Sequence, residues 1–437
     1  MMDTLFRHVR IMQTRPPFTV QDDMDVLVHG DVIAKIARGI EAEGAQIIDG
    51  RGKTLIPGNV CAHHHYYSGL SRGMLVQAGP QRDLIQILRE WWWRLDRALD
   101  EEATYYSSLI CSIDAIASGT TSVVDHHASP SFIKGSLRTI ASGMEKVGIR
   151  GMTCYEVTDR NRGMQEVEEG VQENVDFAMD GASDMVKAMI GGHASFTLPD
   201  EALDMMGEAV RKTGCGVHVH VAEGDYDVAH AHHHYGKDII RRLDEHGLLT
   251  ENALMVHGIY LNDDEIKLIN RRHCFLAHNP RSNMNNQVGY ADKLPQIEKL
   301  VMGTDGCGGN MFEELKIAFF KHRDAKGPWW PADFVAAMNR GNDLIGMYFP
   351  GKFGMVAEGY KADLALLDYH CPTPLVSDNA AGHFVWGMSS NCVQSVMVNG
   401  KMVMIDHKFP GLDVDYIYAK AAEVARKVWD KVDTLAP

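Results

Sequence analysis

Histidines and carboxylates recur in this chain at spacings that suit metal chemistry. The stretch His63-His64-His65 closes one apolar run, "IPGNVCAHHH". The stretch "VHVHVAEG", Val217 to Gly224, sets His218 and His220 into a β-branched run and ends it with Glu223. Further runs end at His193, His257, His278 and Asp305. An imidazole buried without a partner is costly, so such residues need a reason. Residues i and i+2 of a strand share a face, so His63 and His65 point together. With His220 and Asp305 they make three imidazoles and a carboxylate. That set suits a divalent ion such as zinc, with a position left for water. His218 lies one layer deeper and reads as a hydrogen-bonded residue behind the ligands. Glu223 stands just past its strand, where it can take a proton from water acidified by the metal and pass it to a leaving nitrogen.

Ligands scattered this widely need a scaffold whose strand ends converge. Eight apolar runs end in polar clusters: "IPGNVCAHHH", "TSVVDHHAS", "IRGMTCYEV", "VKAMIGGHAS", "GVHVHVAEG", "ALMVHGIY", "CFLAHNPRSN" and "LVMGTDGCG". Most are followed by helix-like stretches, such as "DEALDMMGEAVRKTG" and "DDEIKLINRRH". Alternating strands and helices imply an α/β chain with a parallel sheet. Eight units over roughly 250–300 residues are the size of a (β/α)8 TIM barrel, whose active site lies at the C-terminal ends of its strands. The reading places the barrel at residues 58–357. The flanks, 1–57 and 358–437, read as short strands and turns, with Asn399-Gly400 as a hairpin turn. They are expected to pair into one small β-sandwich domain. "LREWWWRLDRALDEE" is an added helix after the first strand.

Composition narrows the class. The chain has 437 residues, 45% of them hydrophobic, enough for a large core. Its 43 basic and 58 acidic residues leave a formal net charge of −15, which argues against nucleic acid as a partner. No apolar run reaches the roughly 18 residues of a membrane span, and the start lacks a signal-peptide core. Eight scattered cysteines, none in a CxxC pair, fit reduced thiols in the cytoplasm.

The motifs "PGNVCAHHH", "HVAE", "MVHG", "AHNPRSNM" and "GTDG" resemble those of the amidohydrolase superfamily, in its aminohydrolase and chlorohydrolase branch. The likeness spans nearly the whole chain. More narrowly, "HYYSGLSRGM", "WWWRLDRALDEE", "VVDHHASP", "HHHYGKD", "RSNMNNQVGY" and "FFKHRDAKGPWWP" are similar to SsnA-type aminohydrolases. The resemblance implies His63, His65, His220 and Asp305 as metal ligands, with Asp305 also a base. It implies Glu223 as the proton shuttle and His257 as the group that polarises substrate. No lysine ends the fourth run, so one ion per chain is expected, zinc first and iron second. A homodimer and a role in the catabolism of purines or related heterocycles are further implications. Asn59, Ser195 and the middle His64 depart from the commonest pattern.

Other features read two ways. The "HAHHHYG" cluster, His230 to Gly236, suggests a second metal site or, more simply, a loop at the pocket or surface. "DHHAS" at the second run approaches substrate or packs behind it. His193 and Trp92 are candidate substrate contacts, and Trp91–Trp93 wall a pocket or a dimer interface. His278 is expected to anchor the seventh turn, with Ser282 and Asn283 in local hydrogen bonds. "GTDGCGG" lacks the lysine of a phosphate loop. The expected activity is hydrolytic deamination of a nitrogen-rich ring (a purine, pterin or triazine) with release of ammonia. Opening of a cyclic amide and dechlorination are the rivals within enzymes. A metal-loaded binding or assembly protein is the rival outside them.

Overall fold

The computed structural model describes residues 3–76, 78–79 and 81–437. Both ends of the chain enter one mixed sheet of eight strands. Its N-terminal strands include Thr4–Met12, Val20–His29, Val32–Ala37 and Thr54–Pro57. Its C-terminal strands are Leu364–Leu367, Val393–Val398 and Lys401–Met404. The ends are joined where Leu364 pairs with Pro57 and Leu367 with Thr54, antiparallel. The Asn399-Gly400 turn carries φ of 50° and 73°, the left-handed pair that a two-residue hairpin needs.

Between these flanks lie the eight expected parallel strands. The first four units run through Asn59–His64, Thr120–Asp125, Arg150–Thr153 and a fourth strand broken at Met189 into Val186–Ala188 and Ile190–Ala194. The last four are Val217–Val221, Leu254–His257, Phe275–His278 and Leu300–Met302. Hydrogen bonding passes from the third unit to the fourth through Met189 N to Thr153 O, 3.1 Å, and a bridge from Val157 to Gly192. It passes from the eighth unit to the first through Thr304 N to His63 O, 2.8 Å, and Asp305 N to His63 O, 3.1 Å. Val60, Ala62, Val124, Met152, Leu254, Val256, Phe275 and Val301 pack between these strands as one apolar cluster.

The outer helices are amphipathic. In Ser136–Val147 the buried positions Leu137, Ile140, Ala141, Met144 and Val147 form one stripe. Gly148 ends that helix at φ 89°, where a left-handed residue releases the chain. One stretch assigned to the β unit by sequence behaves otherwise. Val414–Thr434 is a helix whose buried stripe is Ile417, Ala421, Val424, Val428 and Val432. It packs on helices Trp93–Ala98 and Glu101–Ala117. Arg94 fixes it by donating to Val432 O, and Trp429 by donating to Leu70 O at 2.8 Å.

Arg150 couples the third parallel strand to the mixed sheet. Its guanidinium meets Asp363 at 3.1 and 3.3 Å in the interior and Asn399 Oδ1 at 3.0 Å at its edge. It also stands 5.0 Å from the rings of Phe349 and Phe353. Removing one partner strands a buried charge, at a cost of about 3–5 kcal/mol. Arg150→Met is therefore expected to lower the urea midpoint of unfolding substantially. Adding Asp363→Asn should restore part of the loss, because the stranded carboxylate is gone.

Candidate metal centre and pocket

The strand ends bring the predicted residues together. His63, His220, His257 and Asp305 each offer one ligand atom, and all four atoms lie within 4.8 Å of one another. His65 Nε2 is 2.8 Å from Asp305 Oδ1 and 3.3 Å from His220 Nε2. It falls in a second group with His126 and His220. The group of four thus includes His257, which the sequence reading kept for substrate, while His65 lies closer to Asp305 than His257 does, at 2.8 Å against 3.9 Å. His64 turns its ring against Tyr66, 5.3 Å between centroids, and makes no hydrogen bond.

The hydrogen bonds behind these rings fix which nitrogen faces inward. His65 Nδ1 donates to His126 O at 2.6 Å. His220 Nδ1 donates to His193 O at 2.7 Å. His257 Nδ1 donates to Asn283 Oδ1 at 2.8 Å. In its neutral form each of these rings presents an Nε2 lone pair to the centre. His63 Nδ1 lies 2.8 Å from His218 Nε2, which places His218 behind the ligand as expected. Two inward atoms, His63 Nε2 and His257 Nε2, are buried without any hydrogen-bond partner. Lone pairs facing a carboxylate repel unless a cation sits among them, so this donor set fits a metal ion.

Local backbone makes the convergence possible. His257 has φ 70°, Asp305 φ 52° and Ala222 φ 48°, left-handed values that cost a non-glycine residue strain. Ala222 is held by its N–H donating to Asp227 Oδ2 at 2.9 Å. Gly303 lets the eighth strand approach the first: a Cβ there would lie 2.4 Å from Asn279 Oδ1 and 2.7 Å from His63 Cβ.

Burial and charge tune the groups apart. Burial holds His63 and His220 well below the usual imidazole range, the neutral form that a metal needs. Burial would also lower His65, but the Asp305 carboxylate outweighs it and holds the ring up at about 9. Burial pushes the Glu223 carboxyl up, with help from the Asp305 charge and against His257. Burial would raise Asp305 too, yet the surrounding imidazoles carry it well below the carboxylate range.

Glu223 Oε2 lies 3.6 Å from His257 Nε2, and Glu223 Oε1 accepts from Asn286 Nδ2 at 3.4 Å. A pocket opens over this point, walled by Tyr67, Leu84, Leu88, Trp92, Trp93 and Phe196. His193 and Trp92 line it, as the sequence suggested, and so does Glu156, which the sequence reading passed over. Only its position three residues beyond the third strand could have singled it out. Ser282 and Asn283 make the expected local bonds, Ser282 Oγ accepting from Asn286 Nδ2 at 3.3 Å and Asn283 N–H donating to Asn279 O at 2.9 Å, but they also reach out: Ser282 Oγ donates to Asp305, and Asn283 orients His257. Two local expectations change. His278 makes no side-chain hydrogen bond and packs beside Tyr290. The "HAHHHYG" cluster lies on helix Asp225–Tyr235, not in a loop.

Comparison with known proteins agrees with this picture. Over 450 residues the chain is 29% identical to a 5-methylthioadenosine/S-adenosylhomocysteine deaminase of Pelotomaculum thermopropionicum, covering 98% of this chain and 99% of that one. It is 27% identical over 446 residues to a 5'-deoxyadenosine deaminase of Methanosarcina mazei, covering 99% and 100%. Among solved structures, a zinc-bound adenosine deaminase from Xanthomonas campestris shares the fold with a TM-score of 0.84 at 21% identity, covering 99% of each chain. A triazine hydrolase from Arthrobacter aurescens does so with a TM-score of 0.84 at 20% identity, covering 97% and 100%. The model of the amidohydrolase family matches residues 54–403, and the chain belongs to that family.

Proposed function

We propose that this protein is a metal-dependent aminohydrolase that deaminates a nitrogen-rich heterocycle and releases ammonia. The observation that carries the reading is the set of inward lone pairs around Asp305, with the protonatable Glu223 beside it. The deaminase names of relatives that match the chain end to end support it. In this reading the eight parallel strands close into a (β/α)8 barrel at 58–357. Residues 1–57 and 358–437 form a β-sandwich unit, with helix Val414–Thr434 laid on the barrel side. His63, His65, His220 and Asp305 hold one zinc ion per chain. A cytoplasmic homodimer is part of the same proposal.

When bound, the ion supplies a Lewis-acidic centre and acidifies water. The chain's own groups do the rest. Glu223 takes a proton from the attacking water and delivers it to the ring nitrogen beside the reacting carbon. His257, held by Asn283, stabilises the negative charge that develops on oxygen. Asp305, kept ionised, takes the second proton and passes it to the departing amine. The products are the oxo heterocycle and ammonia. Glu223 favours this chemistry over dechlorination, because an amine leaves only when protonated and chloride needs no proton. Tyr67, Trp92 and Trp93 provide flat apolar surface for a ring and exclude water.

Two outcomes test the roles. Glu223→Gln is expected to cut kcat by about 100-fold or more while metal content, read by mass spectrometry, stays at the native level. Near-native turnover would remove Glu223 from the mechanism. Asn283→Leu should cost about 10–100-fold in activity or metal affinity, because His257 loses the partner that aims it. An unchanged variant would show that His257 needs no such support.

A further inference from the structure

Glu156 is buried on the cavity wall, and no step above uses it. Its surroundings define its character. Arg160 Nη1 donates to Glu156 Oε1 at 2.8 Å. The same guanidinium is paired with Asp96 from behind and stands 5.2 Å from the Trp93 ring. Arg160 is therefore paired with two carboxylates and, among the described residues, is not one of those that line this pocket. His126 Nδ1 lies 3.3 Å from Glu156 Oε2. A carboxylate has about four acceptor positions, so Glu156 keeps capacity for a ligand after these contacts.

His193 lies next to it, with Nε2 4.0 Å from Glu156 Oε1. Its tautomer follows from Thr197. That hydroxyl donates to Ala194 O at 3.2 Å, so its oxygen accepts from His193 Nδ1–H at 2.7 Å. His193 Nε2 is then a lone pair. The wall facing the metal centre thus shows two neighbouring acceptors, Glu156 and His193.

Resting on the deaminase reading, we propose that Glu156 and His193 form a recognition subsite for ring N–H donors, which selects lactam-bearing amino-azines over 6-aminopurines. A 2-amino-4-oxo ring carries such an N–H. A 6-aminopurine nucleoside, apart from its leaving amine, presents ring nitrogens that only accept. Against two acceptors those nitrogens meet lone pairs and leave buried polar groups unpaired. Sites built for a hydrogen bond reject analogues lacking it strongly.

The test uses matched pairs on the metal-loaded protein. Guanine and 2-aminopurine share ring and leaving amine but differ in the lactam N–H, and adenosine is the third compound. Ammonia release should favour guanine over 2-aminopurine by about 100-fold or more in kcat/KM. Glu156→Gln, which exchanges one acceptor for a donor, should narrow that ratio at least tenfold. A merely structural glutamate would lower all three compounds together. Faster turnover of adenosine or 2-aminopurine, or a ratio unmoved in E156Q, would overturn the proposal. Calorimetric binding of the same compounds separates it from the deaminase reading. If no compound yields ammonia, that reading fails. The subsite then stands if guanine still binds at least tenfold tighter than 2-aminopurine, and falls if the two bind alike. Where E156Q does not fold, the order of the three compounds on the native protein decides alone.

Discussion

The structure turns on one electrostatic constraint: several inward imidazole lone pairs and one carboxylate share a space that water barely reaches. Each ring is pinned from behind by a carbonyl or amide oxygen, so it cannot turn away to relieve the repulsion. Only a positive charge at the centre satisfies the set. The behaviour of His65 shows the demand, since the nearby carboxylate holds its proton to about 9 despite full burial. The constraint also links fold to site. The seam between the eighth and first parallel strands is built from the backbone of His63, Thr304 and Asp305, residues at or beside the converging side chains themselves. Packing at that seam and placement of the ligands are one problem, which Gly303 solves by carrying no side chain.

Around this centre three carboxylates are set to different tasks by environment alone. Asp305 is surrounded by imidazoles and stays ionised. Burial raises Glu223, as suits a group that must gain and lose a proton within one turnover. Burial would raise Glu156 as well, but the Arg160 guanidinium beside it helps hold it well below the usual range, so it can serve as a fixed acceptor. The apolar wall of tyrosine and tryptophan lowers the local dielectric and strengthens all three effects.

Much of this was legible in the sequence because strand ends advertise themselves. An apolar run that stops at histidine or aspartate marks an element boundary and puts a polar side chain at or just past a strand end, as at His63, His65, His220, His257 and Asp305. The amphipathic stripe of Val414–Thr434 was equally readable, with apolar residues three or four apart, but the strand-rich stretch before it drew the whole C-terminal flank into the β unit. Glu156, Ser282 and Asn283 were harder. Each pairs with a residue of another strand or of the loop beyond it, and such pairings leave no spacing in the chain. Asn283 lies 26 positions from the histidine it aims, and Ser282 lies 23 from Asp305.

The central claim is that a single metal ion occupies the point where these lone pairs meet. Anomalous diffraction at the zinc edge, on crystals of zinc-loaded protein, tests it directly. The account predicts one peak per chain, about 2.0–2.2 Å from nitrogen atoms of His63, His65 and His220 and from an oxygen of Asp305. No peak at that point, or a peak held instead by the His230–His234 helix, would contradict it.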